Sequence, residues 1–160
     1  MNKKAQIMGQ VFIFILAALL FILILTYGYK AIAGFGEKSE QVALIEFQSK
    51  LENSIKSMKS DYGSVRKLEL QLPSKYSETC IVADMTDTQA ANFESEHPRM
   101  YDAWLGGTQN VFLNPMSETP IDVGDISISS GYLCLDITAG MVVLRIEGLG
   151  RKTSISPWAE

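Results

Sequence analysis

An uncharged, largely apolar stretch from Ala5 to Tyr29 constrains this chain more than any other feature. As an α-helix it would be ~37 Å long, at about 1.5 Å per residue. The hydrocarbon core of a bilayer needs about 20 apolar residues, so a helix of this length can cross it. Val11 to Leu25 is apolar on every face, whereas the helix of a soluble protein normally keeps one polar face. The stretch therefore predicts a transmembrane helix rather than a buried core helix.

The charges that flank this stretch predict its orientation. Lys3 and Lys4 precede it, and positive residues before a membrane helix favour a cytoplasmic N-terminus. Everything after Lys30 would then lie outside the cell. A cleaved secretory signal has a shorter apolar run and a small-residue cleavage site after it, and none follows here before Ser39. We therefore expect the mature protein to keep this helix as an anchor.

The residues just before the anchor resemble a known processing signal. Lys3-Lys4-Ala5-Gln6, placed directly before a long apolar helix, resembles the class III signal peptide of archaeal type IV pilin-like proteins. The resemblance covers about the first thirty residues. It implies that a prepilin-type peptidase cuts between Ala5 and Gln6, and that the pilus assembly machinery is a partner. Many pilins carry an acidic residue in the first turn of the mature helix, where this chain has Gln10.

The chain divides into four predicted segments. Residues 1–5 form the signal and cytoplasmic N-terminus, 6–32 the transmembrane helix, 33–62 an amphipathic helix, and 63–160 an extracytoplasmic β-rich domain. In the third segment, apolar residues recur at spacings of three and four, as in Leu44, Phe47, Leu51, Ile55, Met58 and Tyr62. Gly34 and Gly36 before this stripe weaken a helix and predict a hinge.

The remainder alternates between strand and helix patterns. Strands are predicted at 68–72, 80–83 and 111–113, and helices at 89–94, with Asp87 or Thr88 as the cap, and at 98–105. The last forty residues predict antiparallel strands, with a hairpin across Ala139-Gly140. The predicted fold class is α+β: a transmembrane helix continued by an amphipathic helix, then a small antiparallel β-sheet with one or two inserted short helices.

The two cysteines, Cys80 and Cys134, both lie in strand-like runs on the side predicted to be exterior. Disulfides persist there, which favours a bridge over two buried free thiols. Such a bridge would close a loop of about 55 residues and contribute roughly 4 kcal/mol. One histidine, His97, and two cysteines distant in sequence do not predict a tetrahedral zinc site, so we expect no metal or cofactor.

The distribution of charge argues against one class of function, nucleic-acid binding. From Glu78 to Asp136 there are ten acidic residues and one base, Arg99. Such a surface repels phosphate backbones, which argues against nucleic-acid binding. The sequence contains no convincing catalytic set, phosphate loop or dinucleotide motif, so we expect a structural or binding protein rather than an enzyme.

Two functions remain open. The first is a pilin-like subunit of an archaeal cell-surface filament that packs against copies of itself through the N-terminal helix. The second is a single-pass membrane protein that presents an extracytoplasmic binding or assembly module and does not polymerise. In the first function, the small Ala17 and Ala18 would allow two helices to approach closely, and phenylalanine rings would fill the gaps between them. The amide of Gln10 could form a hydrogen bond to a neighbouring helix. The candidate assembly residues are Gln10, Phe12, Phe14, Ala17, Ala18 and Phe21.

Overall fold

The computed structural model describes residues 3–158, and it describes side chains at positions 11–32 and 38–158. It contains three helices and seven strands in these residues: α1 Lys3–Ser60, β1 Val65–Gln71, β2 Glu78–Val82, α2 Asp87–Glu96, α3 Pro98–Gly106, β3 Val111–Asn114, β4 Ile126–Ser127, β5 Tyr132–Asp136, β6 Met141–Gly148 and β7 Thr153–Pro157. The chain divides into two compact units, Met1–Gln41 and Val42–Glu160. The α+β fold class is therefore confirmed at this level.

Helix α1 extends from Lys3 to Ser60. Its backbone is helical at Gly34 and Gly36, so the two glycines do not interrupt it. The hinge and the division into helices 6–32 and 33–62 remain predictions from the sequence. The helix ends two residues before Tyr62, the residue that we expected to close the apolar stripe, and Tyr62 is exposed.

The main core of the second unit is built on the apolar stripe of α1. Phe47, Leu51, Ile55 and Met58 are all buried there, as their spacing predicted. They pack with alternate residues of β1 and β6, of which Leu70 and Leu144 are fully buried. In addition, the buried hydroxyl of Thr153 on β7 donates a hydrogen bond to the Ile55 carbonyl over 2.8 Å. The stripe therefore packs against a sheet of its own domain.

The strands form two sheets, where the sequence predicted one. The first has the order β1-β6-β7-β4 and the second the order β3-β2-β5. Most neighbours are antiparallel, but β4 pairs with β7 in parallel, so the first sheet is mixed. The prediction of a single antiparallel sheet was wrong because strands adjacent along the chain, such as β5 and β6, pair in different sheets.

The second sheet is covered on both faces. Ile81, Val111 and Leu113 belong to the main core, whereas Cys80 and Phe112 face a smaller cluster with Phe93 of α2 and Met100 of α3. Because neighbouring residues of a strand point to opposite faces, a short apolar strand can serve two cores at once. This arrangement brings α2 and α3 onto the face of the sheet that carries Cys80.

Two local predictions were corrected by the fold. The turn at Ala139-Gly140 exists, with positive φ at both residues, and Thr138 and Met141 exchange two backbone hydrogen bonds. The strands on either side then separate into different sheets, so the turn does not continue as a hairpin. Helix α2 is capped by Thr86, not by Asp87 or Thr88, because Thr86 and Gln89 form a reciprocal capping box.

Candidate functional site

The first candidate site is the exposed apolar part of α1. Among the described residues, one helical segment is long and apolar enough to cross a membrane: the 22 residues Val11–Ile32. A transmembrane helix or a signal sequence has this length and composition. Among the described residues none of its side chains is buried, whereas the core helix of a soluble domain is mostly buried. A large exposed apolar surface of this kind is typical of a membrane or protein interaction site.

The predicted assembly residues are exposed but do not all lie on one face. Phe14, Ala17, Ala18 and Phe21 follow the spacing i, i+3, i+4 and i+7, which places them on one side of the helix. Phe12 lies two residues before Phe14 and therefore faces another direction. All three phenylalanine side chains are largely exposed, from 63% at Phe21 to 74% at Phe14.

The processing residues cannot be placed in the same detail. The side chains of Lys3, Lys4, Ala5 and Gln6, and that of Gln10, lie outside the described residues. Their backbone belongs to α1. Cleavage between Ala5 and Gln6 and the role of Gln10 therefore stay predictions.

The hydroxyl of Thr26, within the apolar segment, forms its hydrogen bonds with the helix itself. Thr26 Oγ1 lies 2.9 Å from the carbonyl oxygen of Ile22 and 3.0 Å from that of Leu23. Donation to a carbonyl of the preceding turn supplies a bond that lipid cannot provide. The residue is thus compatible with an apolar environment.

The predicted disulfide is confirmed. Cys80 and Cys134 are bonded, and their Cα atoms lie 4.0 Å apart. The two residues are direct partners in the antiparallel pairing of β2 with β5. Cys80 is fully buried and Cys134 is half-buried, so the bridge fixes the middle of the second sheet beneath α2 and α3.

Two further side chains, from Glu78 and His97, lie close to this bridge. One ligand-type atom from each of Glu78, Cys80, His97 and Cys134 lies within 4.8 Å of the others. His97 Nε2 is 3.9 Å from Glu78 Oε1, and both side chains are about one-fifth exposed. In the sequence, His97 lies directly before Pro98 in an acidic stretch, which predicts a surface residue near a helix start. It does occupy the α2–α3 junction, but it is half-buried against the second sheet.

No short sequence motif predicts this cluster of Glu78, Cys80, His97 and Cys134. Glu78 and Cys80 are two residues apart on β2, but His97 and Cys134 come close only because β5 pairs with β2 and both helices fold over that sheet. The strand pattern around each cysteine was the one usable signal. It predicted the bridge and carried no information about the neighbouring helix junction.

Next to the cluster lies an open cleft of about 280 Å³. His97 and Arg99 line it from the α3 side, and Asn114 at the end of β3 and Met116 just after it line the other side. His97 therefore belongs both to the cluster at the bridge and to a solvent-accessible wall. The cleft gives small solutes a route to the imidazole.

Other acidic groups in this region are engaged in pairs of their own. The Tyr132 hydroxyl donates a hydrogen bond to Glu96 over 2.8 Å, and this bond raises the pKa of the phenol above its usual value. Lys152 donates to Asp84 over 2.7 Å, which raises the pKa of the lysine. These contacts link α2 to β5, and the segment after β2 to the residue before β7.

Comparison of the chain with protein families, with curated proteins and with solved structures found no significant match.

Proposed function

We propose that this protein is a type IV pilin-like structural subunit of an archaeal cell-surface filament, assembled through its hydrophobic N-terminal helix. The observation that carries the proposal is the apolar segment Val11–Ile32, in which no side chain is buried among the described residues. The proposal is also supported by a resemblance: Lys3-Lys4-Ala5-Gln6, directly before the helix, is similar to a class III signal peptide. In this proposal the N-terminus is cytoplasmic, the β-rich domain is extracellular, and a prepilin-type peptidase and assembly machinery are partners.

The mechanism is physical rather than catalytic. The bilayer holds the helix of each subunit until that helix packs against the helices of other copies. Lipid gives no hydrophobic drive for such association, so close packing of side chains must supply it. The face with Ala17 and Ala18 allows close backbone approach, and Phe14 and Phe21 on the same side fill the space around it.

Replacement of Ala17 by leucine tests this packing. The change keeps the segment apolar, so membrane insertion should be unaffected, but it overfills the close contact. We expect it to weaken assembly by about 1–3 kcal/mol per interface. Gln10→Leu should also weaken assembly, by less than about 1 kcal/mol, because interhelical hydrogen bonds in membranes are often weak.

The measurement is the amount of protein that leaves sheared cells with filaments, together with oligomer size in detergent. Leu19→Ile serves as the matched control, because it nearly preserves volume and apolarity in the same segment. If the parent stays with the membranes after shearing, or if both Ala17→Leu and Gln10→Leu assemble as the parent does, the helix is an anchor only. The chain would then be a single-pass membrane protein that presents its domain for binding or assembly without polymerising.

A further inference from the structure

The bridge between Cys80 and Cys134 is surrounded by two groups that bind metals. A carboxylate oxygen of Glu78, an imidazole nitrogen of His97 and the two sulfur atoms all lie within 4.8 Å of one another. Thiolate, imidazole and carboxylate are the three ligand types that Zn²⁺ takes in proteins. While the sulfurs are bonded to each other, they are not thiolates, and the set is incomplete.

The two non-sulfur ligands are held by rigid elements. The N–H of His97 donates to the Phe93 carbonyl over 2.8 Å, and its own carbonyl accepts from Met100 and Tyr101. Its ring also lies 5.6 Å from the Phe93 ring. His97 is thus both the C-cap residue of α2 and the N-cap residue of α3, and these backbone bonds fix its position.

Glu78 begins β2, which is the central strand of the second sheet. It is paired with Asn114 on one side and with Asp136 on the other. A ligand set placed on strands and on a helix junction keeps its geometry better than one placed on loops. Reduction would therefore free the two sulfurs inside a frame that other contacts still define.

We propose that reduction of the Cys80–Cys134 bridge converts this cluster into a Zn²⁺ site with two cysteine, one histidine and one glutamate ligand. Cleavage of the S–S bond requires two electrons and two protons. A dithiol supplies both and becomes a cyclic disulfide, whereas a phosphine supplies the electrons and becomes a phosphine oxide, with the two protons and the oxygen coming from water. The two resulting thiols lose their protons to solvent as the sulfurs bind the ion. This inference is independent of whether the chain assembles into filaments.

The space needed for such a site is close to that observed. Zinc binds sulfur at about 2.3 Å and nitrogen or oxygen at about 2.0–2.2 Å, so tetrahedral ligand atoms lie roughly 3.3–3.8 Å apart. The four groups already lie within 4.8 Å, and the sulfurs must separate from bonding distance to about 3.8 Å. Side-chain rotation can supply shifts of this size while the β2–β5 pairing is kept.

Burial and access also suit a metal ion. Cys80 is fully buried, and Glu78, His97 and Cys134 are half-buried, so the ion would be shielded but not sealed off. The cleft lined by His97, Arg99 and Asn114 gives it an entry route. The bridge and the metal exclude each other, so the redox state of one sulfur pair would select between two ways of stabilising the same sheet.

The test uses the full-length protein in detergent micelles, oxidised or reduced with a phosphine under anaerobic conditions. Co²⁺ is titrated first as a spectroscopic probe, and Zn²⁺ is then added in competition with a chromophoric chelator. We expect the reduced protein to bind one ion per chain, with sulfur-to-cobalt charge-transfer bands and the visible bands of a tetrahedral site. The oxidised protein should bind at least about a hundredfold more weakly, because it lacks both thiolates.

Variants separate the proposed site from simple thiol binding. His97→Gln and Glu78→Gln should each lower the Zn²⁺ affinity of the reduced protein at least about tenfold. Glu94→Gln, which removes an exposed carboxylate elsewhere on α2, should leave the affinity unchanged. The oxidised form of every variant keeps the bridge, so its circular dichroism shows whether the substitution itself disturbs folding.

Thermal unfolding of the reduced protein gives a second readout. Zn²⁺ should raise the midpoint of the parent and of Glu94→Gln, and raise it much less in His97→Gln, because metal binding adds to folding stability. The proposal is overturned if the reduced parent binds no ion, if it stays unfolded with Zn²⁺ present, or if both ligand variants bind as tightly as the parent.

Discussion

At the residue scale, Gly148 determines how closely β6 approaches the end of α1. The N–H of Gly148 donates to the Ser64 carbonyl over 3.0 Å, and its carbonyl accepts from Gly63 over 2.8 Å. A Cβ atom at position 148 would overlap the carbonyl oxygens of Met58 and Asp61. These are backbone atoms in the last turn of α1 and just after it, so they cannot rotate away as a flexible side chain could.

Gly148→Ala should therefore destabilise the domain by about 1–3 kcal/mol, with the upper part of that range expected because backbone must move. Gly106→Ala is the control, since a Cβ at the end of α3 meets no atom within 4 Å. Its effect should lie within about 0.5 kcal/mol. The measurement is urea unfolding of the full-length protein in micelles. Equal stability of the two variants would show that β6 can draw back from α1 at little cost.

At the element scale, the C-terminal part of α1 is held by its apolar stripe. Leu51 is fully buried in the main core, whereas Ile45, on the same helix, is 65% exposed. Truncation of a buried leucine removes apolar burial and leaves a cavity. The two positions therefore separate the contribution of packing from that of helix formation.

We expect Leu51→Ala to cost about 2–5 kcal/mol. Ile45→Ala should change stability little within the isolated chain, because its side chain is already exposed and alanine favours the helix. Chemical unfolding followed by circular dichroism compares them. Comparable losses in both variants would contradict the assignment of the stripe as the core-facing side of α1.

At the scale of the whole molecule, the processing prediction concerns where the mature chain begins. The match at Lys3-Lys4-Ala5-Gln6 predicts that protein from its native cells starts at Gln6. N-terminal sequencing or intact mass measures this directly. Changing Lys3 and Lys4 to glutamine should reduce cleavage, because the signal contains the basic pair, while Lys30→Gln after the helix should not. A mature end at Met1 or Asn2 would remove the pilin-like processing claim.

Several features of this protein are predicted by short, local sequence patterns. Three features are each visible in a short stretch of sequence. They are the length of Val11–Ile32 with its apolar residues 11–25, the i, i+3, i+4 stripe of Phe47 to Met58, and the short strand around Cys80. Apolar residues at such a spacing are buried together because the geometry of a helix or strand determines which side chains share a face. The exposed span, the core stripe and the strands that carry the disulfide were therefore predictable from the sequence alone.

Long-range pairing decided what the sequence left open. The turn at Ala139-Gly140 predicted a hairpin, but β6 pairs over its length with β1 and β7, while β5 pairs with β2. The same pairing, with α2 and α3 folded over it, places Glu78 and His97 beside the cysteine bridge. Strand partners are chosen by contacts between distant segments and by the faces that each core must bury, and no short stretch of sequence contains that information.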